Sequence, residues 1–177
     1  RAQLEEALGR IDADTRGTLE RTAARIRRFA QAQREMFRPV DVPVEGGRAG
    51  HAVLPVASAG CYAPGGRYPL PSSVLMTAIT ARVAGVERVV VASPKPDDVT
   101  LAAAAIAGAD EFLAVGGAHA IAALAHGFEG FERVDTIARK GLKEDMPEAY
   151  AIIDRFEWDE KDISQVMDWN TADNADP

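Results

Sequence analysis

The alternation of apolar and polar positions divides the chain into stretches of different character. Leu4, Leu8 and Ile11 recur at helical spacing, Asp12 to Asp14 interrupts them, and Asp14 or Thr15 offers a cap for a second helix. In that helix Leu19, Ala23, Ile26, Phe29 and Ala30 form one apolar stripe, while Arg21, Arg25, Arg28 and Arg34 take other, solvated faces. From Arg38 to Gly60 the chain is rich in Pro, Gly and Val, and the run Ala52-Val53-Leu54-Pro55-Val56 predicts a brief strand between turns. The regular part follows. Pro69 and Pro71 open a helix that runs to Ala84 and stops at Gly85, with Ser72-Ser73 read as its capping residues. Val89-Val90-Val91-Ala92 is an unbroken apolar run, as expected of a parallel strand covered on both faces. Asp97 or Asp98 caps a helix over 99–107 that ends at Gly108. Glu111 to Val115 reads as a strand, Gly116-Gly117 follows it, and 118–125 makes a small-residue helix ending near Gly127.

Strand and helix therefore alternate with short connections. The pattern predicts an α/β fold, a parallel sheet with flanking helices, preceded by amino-terminal helices at 1–37 and followed by a helical tail at 138–177. In the tail, Pro147 opens one helix and Asp159 or Asp162 another.

Composition changes this picture in one place. The 177 residues carry a net charge of −7, but residues 1–135 hold 15 basic and 16 acidic side chains, whereas residues 136–177 hold 5 and 11. Nearly all the acidity lies in the tail, so a boundary near 136 is expected. With 47% hydrophobic and 27% charged residues the chain is of globular type. Its acidity argues against a nucleic-acid partner. No apolar run approaches the roughly 18 residues of a membrane span. The single cysteine, Cys61, cannot form an internal disulfide, which suggests a reducing, cytoplasmic setting. The absence of an initiator Met at position 1 suggests that some amino-terminal sequence is missing.

In parallel sheets, ligands bind beyond the carboxyl ends of the strands, where backbone amides and helix N-termini favour anions. Both Gly-Gly turns, at 65–66 and 116–117, fall there. Around the first, Tyr62 can stack on a ring and Arg67 can meet a phosphate. At the second, His119 opens a helix where it can touch a bound cofactor. None of His51, His119 and His126 has metal-ligand spacing with acidic help, so no metal ligands are expected among them. Cys61 reads as a small buried hydrophobe rather than a nucleophile.

Gly60-Cys61-Tyr62-Ala63-Pro64-Gly65-Gly66, followed by Pro69-Leu70-Pro71-Ser72-Ser73-Val74-Leu75-Met76, resembles the signature of the histidinol dehydrogenase family. Residues 81–90, residues 115–125 and the helix around Arg25-Ile26-Arg27-Arg28-Phe29 are similar to further parts of it, giving a resemblance over about 15–137. It implies a Rossmann-like NAD-binding lobe at 38–137, in a dimeric, zinc-requiring enzyme that oxidises an amino alcohol through an aldehyde to a carboxylate. By resemblance the cofactor-binding candidates are Tyr62, Gly65, Gly66, Gly116, Gly117 and His119, the last standing where the family usually has glutamine. After Val134-Asp135-Thr136-Ile137 the family continues Gly-Pro-Gly-Asn, whereas this chain continues Ala138-Arg139-Lys140-Gly141. The family's NAD-contacting asparagine, zinc ligands and catalytic Glu-His pair would lie beyond, so the resemblance implies at most weak NAD affinity and assigns no catalytic or metal residue here. The tail over about 138–169, with Pro147-Glu148-Ala149-Tyr150 and Phe156-Glu157-Trp158, resembles the carboxyl end of glycine betaine-binding proteins of ABC transporters. The two resemblances meet at the composition break, which predicts a chain joined from two sources. A non-catalytic binding or assembly module is the alternative expectation.

Overall fold

A computed structural model describes residues 1–65 and 68–134; the helices expected in the tail lie outside the described residues. The order is α1 (Ala2–Arg10), α2 (Ala13–Met36), β1 (Val40–Val44), β2 (Gly47–His51), β3 (Ser58–Tyr62), α3 (Pro71–Ala84), β4 (Arg88–Ala92), α4 (Asp98–Ala107), β5 (Glu111–Leu113) and α5 (Gly117–His126). Strands β3, β4 and β5 form one parallel sheet, as the alternation predicted, and lie in the order β3-β4-β5.

The central strand shows why the apolar run is unbroken. Val89, Val90 and Val91 are each 0% exposed. Because successive side chains point to opposite faces, Val89 and Val91 enter one core with Leu75, Ile79 and the alanines of α4, while Val90 and Ala92 enter a second with Leu124, Phe131 and Val134. Ala102, Ala103, Ala104 and Ala107 are all buried, so α4 lies close against the sheet. Helix α1 packs on α4 and α2 packs on α3, adding an outer layer to the first core.

Helix ends follow local chemistry. The Asp97 carboxylate accepts from the Thr100 N–H at 2.8 Å, settling the choice between Asp97 and Asp98. Gly85 and Gly108 end α3 and α4 at φ of +97° and +85°, where a side chain would be strained.

Several expectations need correction. The cap of α2 is Asp12, which accepts from both the Thr15 N–H and hydroxyl, so Thr15 is the capped residue. Ser72 and Ser73 do not cap α3: its N-cap is Leu70, and the fixed φ of Pro71 at the first turn serves instead. Phe29 is 67% exposed and leaves the stripe that Leu19, Ala23 and Ala30 bury. Arg34 is not simply solvated, since its Nη1 donates to the Val83 carbonyl at 2.7 Å. Residues 52–56 form no strand. The strands of this region are β1 and β2, an antiparallel hairpin with Val40 opposite His51 and Val44 opposite Gly47. The fifth strand ends at Leu113, two residues short of the expected Val115.

Candidate functional site at the carboxyl edge of the sheet

Strand pairing continues one residue into the loops: the Ala63 N–H donates to Ala92 at 2.9 Å, and the Ser93 N–H donates to Leu113 at 3.1 Å. The loops after β3, β4 and β5 therefore leave the sheet side by side. Pro94 sits between the two outer ones. A Cβ built on Gly65 would stand 2.4 Å from Pro94 Cγ, and one built on Gly116 would stand 2.5 Å from Pro94 Cβ. Neither distance is tolerable, so glycine at both positions is what lets the two turns close on the proline ring. Sequence reasoning missed Pro94. Its signal was a proline directly beyond a fully buried strand, in Ser93-Pro94-Lys95-Pro96.

The glycines thus divide in role. The side of Gly65 and Gly116 where a Cβ would point is filled by protein. Gly117 differs: it has φ +61°, is exposed, and nothing approaches within 4 Å of its missing Cβ. Gly66 and Arg67 lie outside the described residues. Tyr62, half-buried at the end of β3, packs against the second core and accepts from the Gly117 N–H through its hydroxyl at 3.0 Å. One side chain therefore spans from the first glycine turn to the second. Helix α5 has Gly116 as its N-cap, without a side-chain cap. His119 is its third residue and half-buried. Lys95, beside Pro94, is exposed with φ +44°, a left-handed conformation rare for a side-chain-bearing residue.

The other candidates stand apart. Cys61 is 6% exposed, and burial pushes its thiol pKa up despite a hydrogen bond with Thr77, as suits a core residue rather than a nucleophile. His51 ends the exposed hairpin and His126 ends α5, so the histidines do not converge. Among the described residues no group of three or more His, Cys, Asp or Glu side chains is gathered to hold a metal.

The residues that build this edge lie within a stretch that matches a known protein family. The family model for histidinol dehydrogenase matches residues 1–142. The chain belongs to the histidinol dehydrogenase family. Its likeness to histidinol dehydrogenase of Pseudomonas aeruginosa is 44% identity over 146 residues, covering 80% of this chain and 33% of that protein. The enzyme of Cereibacter sphaeroides is 46% identical, over 79% of this chain and 33% of its own length. Histidinol dehydrogenase homolog 1 of Mesorhizobium japonicum is 39% identical, over 80% of this chain and 29% of its own. The chain thus spans about a third of these relatives. The crystal structure of histidinol dehydrogenase from Elizabethkingia anophelis shares the fold, with a TM-score of 0.69 at 24% identity over 87% of this chain and 36% of that one. The family match begins at residue 1 and extends past the composition break, wider at both ends than the motif resemblance over 15–137. A second model, the substrate binding domain of an ABC-type glycine betaine transport system, matches residues 117–177 and so overlaps the first. Among the described residues no helix is long and apolar enough to cross a membrane.

Proposed function

We propose that the described lobe binds NAD weakly at the carboxyl edge of its sheet and does not turn over histidinol. The observation that carries this reading is the Tyr62–Gly117 hydrogen bond, which joins both glycine turns into one edge. Three features support it. The side of Gly117 where a Cβ would stand is open, which leaves room for a ligand beside its backbone. Helix α5 has no cap from its N-cap residue Gly116, so although the Tyr62 hydroxyl takes the Gly117 N–H, its positive dipole end and following amides face the edge. Lys95, exposed in the loop after β4, adds charge of the right sign to this edge of the sheet. Gly65 and Gly116 contribute by packing on Pro94, which holds the edge in shape, and His119 lies within the first turn of α5. NAD, when bound, supplies a hydride acceptor; the residues described here supply only its binding and orientation. The cell compartment proposed is the cytoplasm.

Calorimetric titration of the full chain with NAD tests this, with a Kd on the order of 1 mM expected. Tyr62→Ala should abolish the heat. Binding that survives Tyr62→Ala, or NADH formed from histidinol above a no-enzyme control, would sink the proposal.

A second reading is favoured by the hairpin. Val40, Val42 and Val44 share one face of β1 and are 42%, 46% and 48% exposed, an apolar strip suited to a second copy of the chain. As an assembly module the protein would dimerise with concentration, and NAD would not change its melting. The match over 117–177 raises glycine betaine as a ligand, which calorimetry with that compound would test.

A further inference from the structure

The opposite end of the sheet carries charge that the carboxyl edge does not use. The second half of α2 and the last turn of α3 enclose an open groove of about 920 Å³ lined by Arg27, Arg34, Glu35, Phe37, Arg38 and Arg82. Arg82 lines it too, but its guanidinium is fully occupied. Its Nε donates to the Gly108 carbonyl at 2.7 Å, and its Nη1 donates to the carbonyls of Val86 at 3.1 Å and Glu87 at 2.6 Å. Its remaining arm pairs with the Asp110 carboxylate, which cancels its charge.

The other three guanidiniums are not cancelled. Arg34 spends one nitrogen on the Val83 carbonyl, and Arg38 spends its Nε on the Glu35 carbonyl at 3.3 Å. Arg27 is half-buried and makes no hydrogen bond or ion pair among the described residues. Against these three charges the groove offers one carboxylate, Glu35. Like charges gathered in one concavity repel, and an oxyanion that accepts their unused N–H donors removes that cost. Arginine's planar fork suits phosphate in particular. Phe37, 66% exposed on the same wall, offers an apolar face beside the charges. The volume falls within the range of small-molecule sites.

We propose that this groove binds a phosphate-bearing small molecule of two or more negative charges, with Arg27 and Arg38 as its main ligands and Phe37 covering the non-phosphate portion. The site is separate from the NAD edge: Val86, Glu87 and Gly108 precede their strands, whereas Tyr62, Pro94 and Gly116 follow theirs.

Calorimetry of the full chain at low salt, with inorganic pyrophosphate and with ADP as probes, tests the proposal. Both should bind one to one. Arg27→Gln with Arg38→Gln should weaken both by about tenfold or more, since two charge-assisted contacts are lost. Arg34 stays intact because it also holds the end of α3, and an unchanged thermal melt shows that the double variant folds. Phe37→Ala should weaken ADP and spare pyrophosphate. No heat with either probe, or equal heat in the double variant, would overturn the assignment. Loss of pyrophosphate heat in Tyr62→Ala would also do so, because it would move the site to the other end of the sheet.

Discussion

Two valine-rich strands in this chain have opposite fates. In β4, Val89, Val90 and Val91 are sealed on both faces by helices. In β1, Val40, Val42 and Val44 are exposed, as is every residue of β1 and β2. Residue type does not distinguish them; what differs is the material laid over each. The layer from β3 to α5 is a unit with its own core, whereas the hairpin has one paired edge and no covering among the described residues. Stability should therefore be concentrated in the first and nearly absent from the second.

The sharpest way to break this contrast is to remove comparable bulk from both regions. Ile79→Ala, at a fully buried position of α3, should cost about 3 kcal/mol in urea melts. Val42→Ala in the hairpin should change stability by less than about 0.5 kcal/mol. Equal effects would mean that the hairpin is covered in solution.

Next in size is the proline wedge. Gly65→Ala forces a methyl against Pro94 Cγ and should cost about 2 kcal/mol. Pro94→Ala in the same chain should restore most of it, because the atom left behind, Cβ, stands 3.5 Å from the new methyl. Gly116→Ala should resist that rescue, since its clash at 2.5 Å is with the Cβ that alanine keeps. A double-mutant cycle reads both outcomes.

Smaller still is Tyr62→Phe, which deletes one hydrogen bond and should cost about 1 kcal/mol. The smallest effect concerns pH at the outer helices. Hydrogen bonding from Arg10 holds the Asp98 carboxyl below its usual range, and the Thr15 hydroxyl, followed by the Thr15 N–H, does the same for Asp12. Groups with depressed folded pKa contribute their full stabilisation above the unfolded value, about 3.9, and lose it as pH falls through the folded value. Urea midpoints should thus be insensitive to these groups near neutrality and fall below about pH 4. Asp98→Asn should flatten part of that fall.

Much of the layered fold was legible because its signals are local. An unbroken apolar run and a glycine after a small-residue helix each act within one turn of chain, whereas the choice among neighbouring aspartates as caps needed the geometry, which assigned Asp12 and Asp97. The parallel order of the strands followed from their alternation with helices. The errors came where distant residues decide. Nothing near Phe29 says that the neighbouring helices leave it uncovered, and nothing near Arg34 says that the Val83 carbonyl waits 49 residues away. The run at 52–56 looked like a strand, but pairing requires a partner, and the hairpin closed earlier, around Glu45-Gly46. At the site, Tyr62 and the glycine turns stood out in the sequence as a motif. Their connection did not, because both the hydroxyl-to-amide bond and the Pro94 wedge span loops of different strands.

That wedge also constrains how the chain can drift. Gly65, Pro94 and Gly116 lie on three separate loops, yet the proline ring fits only because both glycines lack a Cβ. A lineage that replaces the proline ring loses the reason for Gly65 but not for Gly116, which still faces the Cβ of whatever side chain follows, and one that enlarges Gly65 must first give up the ring. Gly65 should therefore be inherited with the ring, and Gly116 more stringently than either.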